Sequence, residues 1–355
     1  MGADQRAELR TGEFDFQLPP ERIAQTPVEP RDSSRLLVIH RDTGQLEHRL
    51  FREIGDYLRP GDLLVANDSR VLPGRLWARR ATGGRVELLL LRDLEDGWWE
   101  ALARPAHRLR VDERLTLESL RAGDEGDLRP ETCLVGERTP SGGVRVRFGV
   151  PAEEVAARFG ALPLPPYIHA PLADPERYQT VYSRVMGSAA APTAGLHFTP
   201  SLLVALLAAG VRLAFVTLHV GLDTFRPVRA ERIIEHVMHA EFVAVPDATA
   251  EAIREAKREG RRVIAVGTTA VRSLESWAAN EQPPAGWSGW TRLFIYPGYR
   301  FQVVGALITN FHLPRSTLLM LVSAFAGRDL IRRAYDEAIA QGYRFYSFGD
   351  TSLIL

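Results

Sequence analysis

The chain has 355 residues, a length that suggests about two domains. Charged residues make up 25% and apolar ones 45%, a balance that excludes a wholly disordered, collagen-like or coiled-coil chain. Lysine plus arginine and aspartate plus glutamate both total 44, so a strongly basic nucleic-acid coat is excluded, although a local basic patch is not.

Lys257 is the only lysine, and every other cation is arginine. Arginine forks suit phosphate and carboxylate, but GC-rich coding produces the same bias. A single cysteine, Cys133, excludes an internal disulfide framework and any multi-cysteine metal site, and it fits a reducing compartment. Charged residues break up the first positions, and no secretory signal is legible there. The most apolar stretch, Leu202–Leu222, contains Gly210 and Arg212. It reads as a helix and a strand rather than a membrane span. A cytoplasmic protein without membrane contact is expected.

In chain order, Leu36–Ile39 and Leu46–Leu50 read as a hairpin around Asp42–Thr43–Gly44. Phe51–Leu58 reads as a short amphipathic helix closed by Pro60–Gly61, and Leu63–Ala66 as a buried strand running into Asn67–Asp68–Ser69–Arg70. Over 71–150 short apolar runs recur between glycine-rich turns: Arg85–Leu91, Trp98–Ala103, Arg114–Leu117, Thr132–Val135 and Val144–Phe148. That spacing predicts a small antiparallel barrel or sandwich. Helices return at Glu153–Phe159. Thr199 then reads as the N-cap of Leu202–Leu207, with Pro200 at its first position and Gly210 ending it. Strand Val211–Val216, helix Ala250–Arg258 capped by Asp247, strand Val263–Val266 and helix Val271–Ala279 follow. Strand Arg292–Tyr296, helices Ser316–Ala324 and Asp329–Gln341, and a closing strand Tyr343–Phe348 complete the chain. This alternation predicts an α/β layer domain over 1–70 and 151–355, with the β unit of 71–150 inserted in it.

Nucleotide signatures are missing: there is neither a phosphate-binding P-loop nor a Gly-x-Gly-x-x-Gly after a strand. Glu235–Glu241 places His236 and His239 three apart instead of four, without an obvious third ligand, so a non-metal role is expected. Val263–Arg272 is more informative. A strand ends in Gly267, then Thr268 and Thr269 open a helix whose free N–H groups favour an anion, with Arg272 a turn further in. The small-residue run Ala189–Phe198 would let backbone approach a ligand at Thr193 and Gly195. The segment Thr217–Phe225 puts His219 and Asp223 near a strand end, where a general base could sit. Asn310 and His312 add directional polar groups beside apolar ones.

These residues together resemble the S-adenosylmethionine:tRNA ribosyltransferase-isomerases, a family of queuosine biosynthesis. The resemblance runs nearly end to end, from Phe14–Asp15–Phe16 to Phe348–Gly349–Asp350. It is carried by Arg35–Leu37, Pro60–Val65 with Asn67 and Arg70–Val71, Leu164–Ile168, Tyr178–Ser183, Ala191–Phe198 and Val216–Gly221 with Thr224–Phe225. His236, Met238, His239 and Glu241 continue it, followed by Val263–Thr269 with Val271–Glu275, and by Asn310–Pro314 through Gly327. Leu222–Asp223 replaces a pair that is commonly a small residue and glycine in the family, and Arg184–Ser188 departs from its Lys-Pro-Gly loop.

The resemblance implies a larger α/β domain with an inserted small antiparallel β-barrel. It also implies transfer and isomerisation of the ribosyl part of S-adenosylmethionine onto 7-aminomethyl-7-deazaguanine at the tRNA wobble position. Epoxyqueuosine would form, with adenine and methionine released. No metal or further cofactor is implied, S-adenosylmethionine being a consumed substrate, and a monomer is expected. The sulfonium acidifies the C5′ hydrogens, so one base is needed, and adenine needs hydrogen bonds or a proton as it leaves. His219, His197 and His312 are the acid–base candidates. Thr268, Thr269 and Arg272 are expected on an anion, either the methionine carboxylate or a tRNA phosphate. Asn67 and Asn310 are the expected edge readers, and Phe198, Phe225 or Phe311 the stacking surface, with Thr193, Gly195 and Thr224 beside them. Arg70, with Arg75, Arg79 and Arg80, could contact phosphates. Without the resemblance, an α/β small-molecule transferase or hydrolase that does not act on RNA is the alternative, and a pure binding module the third class.

Overall fold

The structure, a computed structural model, describes residues 9–94, 96–119, 131–139, 142–221, 227–280 and 286–355. Its strands in chain order begin with β1 (Arg35–Ile39), β2 (Leu46–Leu50), β3 (Leu63–Asn67) and β4 (Ser69–Val71). There follow β5 (Arg75–Arg80), β6 (Arg85–Asp93), β7 (Trp98–Arg104), β8 (Arg114–Glu118), β9 (Thr132–Arg138), β10 (Val144–Phe148) and β11 (Val185–Ser188). The rest are β12 (Arg212–Leu218), β13 (Glu241–Val245), β14 (Val263–Val266), β15 (Trp287–Thr291), β16 (Ala306–Asn310) and β17 (Thr351–Ile354). Six α-helices accompany them among the described residues: α1 (Ala152–Phe159), α2 (Pro200–Ala208), α3 (Asp247–Arg258), α4 (Thr268–Ala279), α5 (Thr317–Ala326) and α6 (Arg328–Ala340).

Two units emerge. The first comprises 9–69, 165–185 and 191–355, within the described residues. Its nine-stranded sheet has the order β15-β13-β12-β3-β14-β16-β17-β1-β2. Strands β12, β3, β14 and β16 run parallel, so their carboxyl ends share one edge. Strand β17 runs against β16, and Thr351 faces Asn310 across that pair. Every residue of β3, β14 and β16 is buried, as expected where both faces of a parallel sheet are covered. Alternate residues Leu64 and Ala66, Ile264 and Val266, Ala306 and Ile308 join one core with Phe51 and with Leu202 and Leu206 of α2.

The second unit comprises 70–164 and 186–190. A closed antiparallel barrel of order β10-β7-β6-β5-β8-β9 forms its body. Strand β5 was not anticipated, because Arg75, Arg79 and Arg80 mask its alternation. The charged run is an outer face: Arg75 pairs with Glu87, Arg79 with Glu118 and Arg80 with Glu113. These three guanidiniums are thus engaged by neighbouring strands, and the expected phosphate patch has internal carboxylates instead. Arg70 is half-buried on β4 in this unit. Residues 151–164, read from the sequence as part of the α/β domain, cluster with the barrel because Ala152, Val155, Ala156 and Phe159 of α1 pack into its core. Cys133 is sealed inside that core, where burial pushes its thiol up to about 12 and leaves it unreactive.

Three other expectations shift. Helix α3 starts at Asp247 with Pro246 as its N-cap, and the Asp247 carboxylate accepts the Gly286 N–H instead of capping. The strand expected at Arg292–Tyr296 lies earlier, as β15. The closing strand is β17 and not Tyr343–Phe348. Tyr346 there takes a left-handed φ of +72°, which no strand accommodates. Among the described residues no helix is long and apolar enough to cross a membrane. The Leu202–Leu222 stretch breaks at Gly210, whose φ is +82°, between α2 and β12.

Candidate active site

A cleft opens beyond the carboxyl ends of β14 and β16, the usual ligand position in parallel α/β sheets. Its walls include Thr193, Thr268, Thr269, Asn310, His312 and Tyr346. These four sequence-distant segments meet there, two of them because β14 and β16 finish at that edge.

Gly267 makes the strand-to-helix turn with φ +90°, a conformation that a side chain resists. Helix α4 therefore starts directly off β14, and its first-turn N–H groups face the cleft at Thr268 and Thr269. The Thr269 Oγ1 is buried without a hydrogen-bond partner. A hydroxyl kept idle beside a helix N-terminus is suited to a ligand oxygen.

Arg272 does not reach the cleft as an open fork. It is buried, and its Nη1 donates to the Glu241 carboxylate while Nε donates to the Leu293 carbonyl at 3.2 Å. Burial lowers its pKa to about 10. Glu241 also accepts the Gly221 N–H at 3.0 Å. The ion pair thus ties α4 to the turn that follows β12. Sequence reading had Glu241 in a run with His236 and His239 that could hold a substrate through imidazole and carboxylate hydrogen bonds, and not as the partner of Arg272. Among the described residues, no group of three or more potential ligands could hold a metal. His236 packs edge-on against Phe294.

The three histidines have different surroundings. His197 accepts from Asn310 Nδ2 at 3.1 Å through Nε2, and its Nδ1 lies 2.7 Å from Ser34 Oγ. Burial, with Arg344 and Arg31 nearby, drops its pKa to about 3. With both ring nitrogens engaged, it is a neutral clamp without a free nitrogen for proton transfer. His312 lines the cleft, with Nε2 2.9 Å from Thr309 Oγ1, and burial likewise lowers it to about 3. His219 is half-buried after β12, stacked on Phe242 at 6.1 Å. Its Nδ1 has no partner. Burial lowers its pKa, and the Asp68 carboxylate opposes that. Asp68, which the sequence did not single out, is held by Thr217 at 2.7 Å and by Arg184 at 2.6 Å. Val220, beside His219, lines the cleft.

Asn310 is both clamp and wall: its Oδ1 accepts from Thr193 Oγ1 at 3.1 Å, and it lines the cleft. Asn67 is a splice, not an edge reader. It is fully buried, accepts from the Ser69 and Leu218 N–H groups and donates to the Leu218 carbonyl. Gly195 is small for the protein's own sake, since a Cβ there would overlap the Tyr182 hydroxyl. Phe198 does not line the cleft, whereas Phe311 is among its lining residues. Phe198 is 1% exposed and edge-on to Phe51, and Phe311 is 0% exposed in a cluster with Tyr335, Tyr343 and Phe345. Thr224 and Phe225, with Leu222–Asp223, lie outside the described residues.

The cleft's aromatic wall is one the sequence reading missed. Tyr167 packs on Tyr346 at 4.8 Å, and its hydroxyl lies 2.7 Å from Ser347 Oγ. The left-handed Tyr346 backbone is held by its N–H to Phe311 and its carbonyl to Asn310, a strain found where surroundings over-determine a functional position. Only the Leu164–Ile168 block hinted at it.

The family model described as "Queuosine biosynthesis protein" matches residues 11–354. A protein of Moorella thermoacetica named S-adenosylmethionine:tRNA ribosyltransferase-isomerase is 55% identical over 98% of this chain and 100% of its own. One of the same name from Symbiobacterium thermophilum is 53% identical over the same shares. Among solved structures, an S-adenosylmethionine tRNA ribosyltransferase from Thermotoga maritima is 42% identical, with a TM-score of 0.55 over 97% of this chain and 100% of its own.

Proposed function

The chain belongs to the queuosine biosynthesis protein family, and from that premise we propose that it is an S-adenosylmethionine:tRNA ribosyltransferase-isomerase, working in the cytoplasm as a monomer. It transfers and isomerises the ribosyl part of S-adenosylmethionine onto 7-aminomethyl-7-deazaguanine at the tRNA wobble position. Epoxyqueuosine forms, and adenine and methionine leave. S-adenosylmethionine is consumed, and no further cofactor takes part. The name its relatives share supports this reading over a small-molecule transferase or hydrolase that never meets RNA.

The observation that carries the chemistry is the opening of α4 into the cleft, with the idle Thr269 hydroxyl beside it. Those N–H groups and that hydroxyl take an anion, the methionine carboxylate or a tRNA phosphate. Arg272 acts through Glu241 as a positioning residue, holding α4 against the Gly221 turn. The sulfonium makes the C5′ hydrogens acidic, and His219, kept neutral by burial, takes one as general base. His312 and Asn310 serve adenine as neutral hydrogen-bonding groups on the cleft wall. His197 orients Asn310 without titrating.

The test is an assay of the purified protein with S-adenosylmethionine and tRNA carrying the aminomethyl-deazaguanine base, following adenine and the mass of the modified nucleoside. The expected result is adenine release with a ribosyl-derived mass gain, dependent on that base. Folded protein that gives neither with verified tRNA overturns the reading.

A further inference from the structure

The reaction needs the wobble base out of its stack, yet of the two described phenylalanines expected to receive a base, Phe198 is sealed in the core and Phe311, although on the cleft wall, is fully buried. The edge of the sheet offers another surface. Trp290, on the edge strand β15, is 52% exposed and is the only exposed phenylalanine, tyrosine or tryptophan among the described residues. It stands directly across from Phe242 in the antiparallel β13–β15 register, with ring centroids 5.8 Å apart. Phe242 in turn stacks on His219, whose N–H donates to the Phe242 carbonyl at 3.1 Å. Three rings thus run in series from the strand end beside the cleft out to an exposed indole. The opposite face of β13 is apolar and buried at Val243 and Val245, while Trp290 keeps about half of its surface exposed on the outer face. Arg292, two residues on, is also exposed.

The geometry points to Trp290 as a stacking platform for an unpaired nucleobase of the RNA substrate, next to the reacting nucleotide. This rests on the function proposed above. An indole face accepts any base, and a base flanking the extruded wobble position loses its stacking neighbour there. The His219–Phe242–Trp290 series makes this surface continuous with the reacting end of the site.

The experiment uses the full chain as wild type, Trp290→Ala and Trp290→Phe, with thermal unfolding as the check that each variant is folded. KM is measured separately for tRNA and for S-adenosylmethionine, and intrinsic tryptophan fluorescence is followed during tRNA titration. Trp290→Ala is expected to raise the KM for tRNA about tenfold, with the KM for S-adenosylmethionine held within about twofold. Trp290→Phe should recover most of the loss while abolishing the tRNA-dependent quenching. Folded Trp290→Ala with a wild-type KM for tRNA overturns the platform and leaves the proposed function intact. A Trp290→Ala variant that instead converts a dimer to a monomer, at unchanged KM for tRNA, assigns the surface to a second copy and also overturns it. Wild-type protein that neither binds nor modifies the tRNA overturns both.

Discussion

Asn310 Nδ2 donates to His197 Nε2 at 3.1 Å, joining the end of β16 to the turn before α2. Because the amide can only donate through that nitrogen, the histidine proton resides on Nδ1, directed at Ser34 Oγ 2.7 Å away. The same Asn310 receives the Thr193 hydroxyl through Oδ1. Replacement by leucine leaves a buried imidazole nitrogen and a hydroxyl without these partners. Asn310→Leu is expected to lose about 2–6 kcal/mol in urea unfolding, at about 1–3 kcal/mol for each of these two orphaned groups. An unchanged unfolding midpoint would show that the clamp contributes nothing.

His219→Ala should lower turnover by about 10²–10⁴-fold, the usual contribution of a general base, while unfolding is little affected. Since burial lowers the His219 pKa from its ordinary 6.5, the acid limb of kcat/KM is expected below pH 6.5. Activity should therefore persist into mildly acidic buffer and fail as the imidazole takes up its proton. Turnover by His219→Ala at the wild-type rate would remove it as the base.

Thr269→Val removes the idle hydroxyl and keeps the helix. It should raise one KM about tenfold, the equivalent of roughly 1.4 kcal/mol for a hydrogen bond to a charged oxygen. An increase for S-adenosylmethionine identifies the methionine carboxylate as the anion at α4, and an increase for tRNA identifies a phosphate. If neither moves, the hydroxyl is a packing atom.

Glu241→Gln keeps an acceptor for the Gly221 N–H but strands the buried Arg272 cation. Breaking a buried ion pair from one side costs about 3–5 kcal/mol, so chemical denaturation should show a loss of that order. Turnover should fall with it, because α4 and the β12 turn lose their tie. Wild-type stability in Glu241→Gln would mean that the pair does not brace the site.

His197 and His312 both fall from 6.5 to about 3 on burial. The unfolded chain takes up a proton at each near pH 6.5, whereas the folded chain takes up none until about pH 3. Between those limits the unfolded state binds more protons, so these groups make stability fall as pH falls, by about 1.4 kcal/mol per pH unit for each histidine. Urea titrations from pH 7.5 to 5 should show that slope setting in below about pH 6.5, reduced by about half of this histidine share in His312→Gln. A pH-independent midpoint over this range would contradict the buried, neutral assignment.

Much of the site was legible because its residues mark local events. Gly267–Thr268–Thr269 records a strand turning into a helix, and a helix start needs capping groups wherever the chain puts it. Asn310 and His312 mark a strand end before a new helix. The barrel strands were legible from alternation between glycine turns. Strand β5 was not, because outward arginines broke the pattern. Strand β17 was missed because Tyr343–Phe348, rich in aromatics, looked more strand-like than the four residues that pair.

Side-chain partnership was a different matter. Arg272 and Asn67 read as ligand groups because guanidinium and amide suit substrates, yet Glu241 and the Leu218 backbone claim them. Phe198 and Phe311 read as platforms, and packing buried them. By itself the sequence determined most of the element pattern, the family and most segments that build the cleft, since these follow from local periodicity, turn chemistry and motif order. Only the tertiary structure decided which polar groups remain available to a substrate. A hydrogen bond or ion pair is claimed by whichever partner folding brings within about 3 Å, and for these residues that partner lies on another element.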